Sequence, residues 1–288
     1  MKTAVLTVVY QGVEPYIHDF LISLQSQTDN DFDLVLVDDG FYQLQDCLSH
    51  FSIRSRVLYF EGSFVGIRKQ AIRWLAAEDY DYVVFADSDD YFDWQRIKIC
   101  KELLNTYDLV CNELVLFGAN LFGMIPMASS RFYEGQEISA DHLWYGNIMG
   151  MSNTGARLAH IIPYIDMIPD DIVALDWMLY SLALLHLNTC VFTKRTKTYY
   201  RQHTNNIAAP QNYSEEQIIR GVRIKCYHYQ ILARYKEDYY DYAKQYQRLL
   251  TDLDNVGFRE KYCRAVRTFA PSYPLWWEAI KLAEELDL

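Results

Sequence analysis

The stretch YDYVVFADSDDYF, residues 80–92, runs as an apolar segment rich in β-branched and aromatic side chains and ends in three carboxylates, Asp87, Asp89 and Asp90. Its first half has the composition of a strand buried in a sheet. The carboxylates repel one another by about 1 kcal/mol per pair in water and by several in a drier cleft, so the cluster is tolerable when solvated or when a cation occupies it. Hard cations such as Mg²⁺ or Mn²⁺ take oxygen ligands, commonly alongside the phosphate oxygens of a substrate. If the strand continues through the cluster, alternation puts Asp87 and Asp89 on one face about 6.6 Å apart and turns Ser88 away. A solvated acidic turn is the alternative reading of the same residues.

Upstream, TAVLTVVY (3–10) is a continuous apolar strand of the kind buried in a parallel sheet, and Tyr16, Phe20, Leu21 and Leu24 then recur at helical spacing. FDLVLVDDG (32–40) repeats the strand pattern and again ends in acidic residues, Asp38 and Asp39. A helical stretch over 42–51, a short strand over 56–60, a helix over 67–77 and the strand over 81–86 complete an alternating series. Such alternation predicts an α/β fold, a parallel sheet with helices on both faces, whose ligands lie beyond the carboxyl ends of the strands. That rule brings Asp38 and Asp39 to the same crevice as Asp87 to Asp90. Downstream, 94–104 reads as a helix and 109–118 as a strand. Residues 119–170 read as loops and short elements, 174–187 as a helix, and 189–193 as a strand followed by TKTYYRQHTNN. Beyond Pro210 the chain is helical and Tyr-rich: Tyr235, Tyr239, Tyr242, Tyr246 and Leu249 make one stripe, expected to pack against the main domain. The final PSYPLWWEAIKLAEELDL (271–288) reads as a cap.

The 288 residues, 51% hydrophobic and 23% charged, suffice for one large domain or a catalytic domain with a smaller appendage. A net charge of −11 argues against a nucleic-acid-binding surface. The six cysteines are scattered with no CxxC pair, which reads as small core residues in a reducing compartment. MKTAVLTVVYQG lacks a cleavage-site pattern and reads as a first strand, and the longest uncharged stretch, 114–130, is too short and broken to span a bilayer. There is no GxSxG elbow and no P-loop, so serine hydrolase and P-loop kinase chemistry fall away.

TVVYQGVEPYIHDFLISLQSQT (7–28), VLVDDG (35–40), GIRKQAI (66–72) and VVFADSDD (83–90), in that order and at those intervals, resemble the nucleotide-binding half of the family 2 glycosyltransferases of GT-A fold. LDWMLYSLALL (175–185) and TYYRQHTNN (198–206) resemble the acceptor-side half. The resemblance implies a GT-A-like domain over 1–210, with a nucleotide-sugar-binding half (1–118) and an acceptor-side half (119–210), and a helical C-terminal extension over 211–288. Two blocks depart from the family: Val8, Val9, Tyr10 and Gln11 stand where Pro-Thr-Tyr-Asn is usual, and Ile67, Arg68, Lys69, Gln70 and Ala71 where Ala-Arg-Asn-x-Gly is usual. The Gln-x-x-Arg-Trp signature of processive synthases is absent, which favours single addition.

By this resemblance Asp39 receives the donor's base through its imide N–H with Tyr10 packing near the ring, Asp87 holds the ribose or nucleotide, and Asp89 ligates a divalent Mn²⁺ or Mg²⁺ ion. Arg68 is a second cation for the diphosphate, and His203 a late metal ligand or phosphate contact. Asp176 is the base that takes the acceptor hydroxyl proton during inverting transfer, with Asp170 and Asp171 as competitors. Each residue also has a plain alternative: a turn cap for Asp38 and Asp39, a helix-start cation for Arg68, a surface or core histidine, and a helix-dipole partner for Asp176. The expected activity is single-sugar transfer from a UDP-sugar to a hydroxyl of a glycan or lipid-linked glycan acceptor in surface polysaccharide synthesis. The expected location is the cytoplasm, with room for peripheral contact at the inner face of the membrane. The rivals are a nucleotidyltransferase, which would carry a basic Gly-rich loop after the first strand, and a sugar-nucleotide-binding scaffold.

Overall fold

The computed structural model describes residues 1–118, 123–203, 213–269 and 276–288. Residues 204–206 of the second acceptor-side block and 271–275 of the C-terminal stretch lie outside the described residues. The chain divides into two units: Met1–Asp141, Ile148–Asp171 and Leu175–Gln202 form one, and His142–Asn147, Ile172–Ala174 and His203–Leu288 the other.

The first unit opens with the expected alternation: β1 (Thr3–Tyr10), α1 (Ile17–Gln25), β2 (Asp33–Asp39), α2 (Leu44–Ser49), β3 (Ser55–Leu58), α3 (Phe64–Ala77) and β4 (Tyr82–Phe85). It continues through β5 (Tyr91–Phe92), α4 (Arg96–Leu104), β6 (Leu109–Gly118), β7 (Ile125–Pro126), β8 (Thr154–Arg157), α5 (Ile162–Ile165), α6 (Leu175–Leu185) and β9 (Cys190–Gln202). One sheet runs in the order β3-β2-β1-β4-β8-β6-β9-β5, with β7 on β6. The pairs β3–β2, β2–β1, β1–β4 and β6–β9 are parallel, whereas β8 enters antiparallel between β4 and β6. β1 has no polar face because it is central: Ala4, Val5 and Val9 are fully buried, and Val5, Val9, Phe20, Leu21, Leu34 and Val84 share one core. Ser63 starts α3 three residues before the predicted boundary, its hydroxyl accepting the Gly66 N–H at 3.0 Å.

Three local expectations change. β4 stops at Phe85, so Asp87 to Asp90 form a turn, closed by Asp90 N–H donating to the Asp87 carbonyl at 3.2 Å, and strand alternation does not set their directions. β9 runs well past Thr193 to Gln202, pairing along the whole of β6 with a register shift between Asn112 and Glu113. Its end lies so close to β6 that a Cβ on Gly118 (φ +150°) would sit 2.4 Å from the Gln202 carbonyl oxygen, which only glycine avoids. β8 falls in the segment read as loops, since four residues of TGAR carry almost no pattern.

The second unit is built on α7 (Glu215–Leu232), α8 (Tyr239–Asp252), α9 (Val256–Phe269) and α10 (Trp276–Ala279). The tyrosine stripe does not need the sheet to bury it. Tyr239 and Tyr246 are buried against Tyr229 of α7, Tyr239 stacks on Trp144 at 4.1 Å, and the Tyr242 hydroxyl meets that of Tyr145 at 3.0 Å. Tyr235 precedes α8 and is exposed. All six cysteines are unpaired, and no described helix is long and apolar enough to cross a membrane.

Candidate active site

The parallel register of β1 and β2 sets Tyr10 beside Asp39 at the carboxyl ends of the two strands. On the other side of β1, the Ala86 N–H donates to the Leu6 carbonyl at 3.0 Å and the buried Ser88 hydroxyl to the Val8 carbonyl at 2.8 Å, which lays the acidic turn along the end of β1. The Tyr10 hydroxyl accordingly reaches Asp89 at 3.4 Å. Asp38 caps its own turn, accepting the Phe41 N–H at 2.8 Å, and this leaves Asp39 as the outward carboxylate of the pair.

Arg68, one turn into α3, folds back over the Phe64 ring at 3.5 Å and donates to the Phe64 carbonyl at 3.0 Å. Burial lowers its pKa, and Asp87, Asp39 and Asp176, in decreasing order, oppose that shift. One guanidinium thus lies within the field of three carboxylates from three separate elements. Burial and then Asp89 push the Asp87 pKa up to about 7, with Arg68 pulling the other way, and burial followed by Asp89 and Asp87 pushes Asp90 well above the carboxylate range. The Tyr10 phenol is raised by burial and by Asp89. Burial and the mutual repulsion of the carboxylates thus disfavour full ionisation of the turn, the condition under which a carboxylate cluster takes up protons or a cation.

Two further cations hold the turn from behind. Arg96, fully buried, donates to the Asn112 amide oxygen at 3.0 Å and the Phe85 carbonyl at 2.9 Å and stacks on Phe92; burial lowers its pKa to about 10, so it stays charged at neutral pH. Arg201 of β9 donates Nε–H to the Asp89 carbonyl at 2.8 Å, Nη2–H to Asp19 of α1 at 2.7 Å, and its backbone N–H to Asp90 at 2.8 Å. Its guanidinium is flanked by Tyr16 and Phe117, 4.8 and 4.7 Å from the ring centres. The Ser152 hydroxyl also donates to Asp90.

Asp176 is the second residue of α6, half-buried, with its Oδ1 accepting the Trp177 N–H at 2.8 Å. Gly150 lies alongside, and a Cβ there would be 3.7 Å from Oδ2. The Gly150 loop is pinned by Asn153, which accepts the Gly150 N–H at 2.7 Å and donates to the Asn112 carbonyl at 2.9 Å. Asp170 is engaged elsewhere: Lys69, itself buried, donates to it at 2.6 Å and to the Ile168 carbonyl at 2.7 Å, and holds the Asp170 carboxyl below its usual range.

The fold thus gathers Tyr10, Asp39, Arg68, Asp87, Asp89 and Asp176 at one end of the sheet. His203 directly follows β9 and begins the longest segment of the second unit, His203–Leu288. Among the described residues no three His, Cys, Asp or Glu side chains gather as a metal cage. Arg96, Asn112, Ser152 and Asn153 were not singled out from sequence. An Arg in the first turn after DSDDYF was a usable signal for Arg96, whereas the two asparagines and the serine look like ordinary loop polar residues.

This fold has known counterparts. The chain aligns with S. aureus TarS 1–349 in complex with UDP-GlcNAc (TM-score 0.59, 20% identity, 82% of this chain and 71% of that one). It also aligns with the mannosyltransferase PcManGT from Pyrobaculum calidifontis in complex with GDP-Man and Mn²⁺ (TM-score 0.57, 13% identity, 97% and 78%). Both likenesses show a GT-A fold. In sequence, the chain is 27% identical over 214 residues to the dTDP-rhamnosyl transferase RfbG of Shigella flexneri, covering 68% of this chain and 71% of that protein. The profile of glycosyl transferase family 2 matches residues 4–181. The chain belongs to glycosyl transferase family 2 and is a glycosyltransferase.

Proposed function

We propose that the protein transfers a single sugar, with inversion and with the help of a divalent cation, from a pyrimidine nucleoside-diphosphate sugar to a hydroxyl of a glycan or lipid-linked glycan in surface polysaccharide synthesis. The observation that carries the proposal is Arg68 within the shared field of Asp39, Asp87 and Asp176, with Asp89 adjacent to Asp87. A diphosphate lying across these strand ends would find Arg68 for its oxygens, Asp39 for the imide N–H of uracil or thymine, and Tyr10 beside the ring. UDP is the donor expected from sequence, dTDP is named for the Shigella relative, and the same imide is common to both.

The residues fit a divalent ion of the hard, oxygen-seeking kind. Such an ion needs only one or two protein carboxylates when phosphate oxygens and water complete its shell, and the raised carboxyls of the acidic turn are those an ion would relieve. Asp89 would hold it, with Asp87 meeting the ribose or nucleotide beside it, and the bound ion would offset the charge that the departing diphosphate gains. Asp176 then takes the proton of the attacking hydroxyl; Asp170, already held by Lys69, is the poorer base. Calorimetry and turnover on two variants test this. Asp176→Asn should bind nucleotide as wild type does and lose transfer by about 10²–10⁴-fold, whereas Asp89→Asn should weaken both. Turnover of Asp176→Asn within a few-fold of wild type would remove the assignment of the base.

A further inference from the structure

The helical unit has a cavity of its own. About 280 Å³ in volume, it has the segment Ile172–Ala174 as one wall and α7 as the other, with Arg220, Arg223, Ile224 and Tyr227 facing it. Arg220, Ile224 and Tyr227 recur at four and three residues, and Arg223 stands about 5–6 Å from Arg220 along the same helix. Both arginines are exposed, and among the described residues neither has an ion-pair or hydrogen-bond partner. His228, buried in the cavity's lining, is kept neutral, its pKa pushed down to about 3 by burial and by Lys225. The hollow is thus lined almost wholly by apolar atoms, the stems of two exposed arginines that have no ion-pair partner among the described residues included, in a chain whose net charge is −11.

That pairing selects an amphiphile. A guanidinium fork matches two oxygens of a phosphate, and two of them one turn apart suit a phosphate or diphosphate better than a single carboxylate. A peptide segment would have to bury backbone N–H and carbonyl groups against walls with few polar atoms to receive them, while a hydrocarbon meets no such cost. The volume falls at the small end of ligand sites, enough for the phosphate-proximal part of a chain and too little for a long one. In the sequence, the wall Ile172–Ala174 runs straight into α6, which begins at Leu175 and carries Asp176.

We propose that this cavity binds the phosphate and the first part of the hydrocarbon chain of a lipid phosphate, the carrier of the acceptor sugar. Its role as acceptor site rests on the sugar-transfer reading above; its ligand chemistry does not. The test is calorimetry on the full chain with decyl phosphate below its micellar concentration, with inorganic phosphate and with decanol. Decyl phosphate should bind at least about tenfold more tightly than either fragment. The double variant R220Q/R223Q, which changes two exposed side chains, should lose about tenfold or more while keeping its melting temperature and its Mn²⁺-dependent UDP binding. Ile224→Trp, which fills the hollow, should weaken decyl phosphate as well. Equal binding of decanol and decyl phosphate, or undiminished binding by R220Q/R223Q, would overturn the proposal. Failure of UDP to bind, with decyl phosphate behaving as expected, would count against the sugar-transfer reading and leave this site standing.

Discussion

At the residue scale, burial and mutual repulsion set the acidic turn apart from ordinary surface carboxylates. Asp87 and Asp90 have folded-state pKa values above the roughly 3.8–3.9 of an unfolded aspartate, Asp87 at about 7. A carboxyl raised in this way contributes stability that is complete below about pH 4 and is lost as pH rises through 7. In the absence of metal, then, the site's contribution to stability declines across that window, and Mn²⁺ should restore it by binding the deprotonated cluster. The gain in melting temperature on adding Mn²⁺ should therefore be small near pH 5.5 and larger near pH 8, and Asp89→Asn should abolish the difference. Equal gains at the two pH values, measured by scanning calorimetry, would mean that the carboxylates are not the ion's ligands. The sequence made these acidic residues conspicuous, because nothing in a buried strand explains three carboxylates at its end. It did not show Arg96 or Asn153, whose importance arises only once β6 and β8 bring residues far apart in the chain to the back of the turn.

At the element scale, β9 links parts of the site that sequence patterns separate. Thr198–Gln202 reads as polar and aromatic residues after a strand, yet it continues the strand and delivers Arg201 to α1, β6 and the acidic turn at once. The alternation from β1 to β4 was legible because parallel central strands are apolar on both faces and their helices amphipathic. β8 and the continuation of β9 were not, since one is four residues long and the other is half-covered and carries charge. Arg201→Lys keeps the charge and gives up the planar fork that serves Asp19 and the Asp89 carbonyl while lying between two rings. This substitution should leave the fold intact and weaken Mn²⁺-dependent nucleotide binding by about tenfold, read by calorimetry. An unchanged affinity would show that Asp89 holds its position without the clasp.

At the scale of the whole molecule, a sheet that places acidic residues at its carboxyl end is joined in sequence to a helical unit with its own aromatic core. In that unit Lys225 is buried and donates to the carbonyls of Tyr145 and Ile280 at 3.0 and 2.8 Å, and burial followed by Lys281 lowers its pKa to about 7. An amine depressed below its unfolded value of roughly 10.4 withholds stability at low pH and returns it as pH climbs from about 7 toward 10. Wild-type stability should therefore rise through the alkaline range more steeply than that of Lys225→Gln, by up to about 1.4 kcal/mol per pH unit, in denaturant titrations at several pH values. Parallel pH profiles would show that Lys225 is not desolvated. The claim on which the functional account depends is that a nucleoside diphosphate lies across Asp39, Arg68, Asp87 and Asp89 with a divalent ion. Calorimetric titration of the protein with UDP, dTDP and GDP, each with and without Mn²⁺, tests it most directly. Binding of the pyrimidine nucleotides should require Mn²⁺ and be lost in Asp89→Asn; no nucleotide binding under either condition, or binding indifferent to both Mn²⁺ and Asp89, would refute the claim.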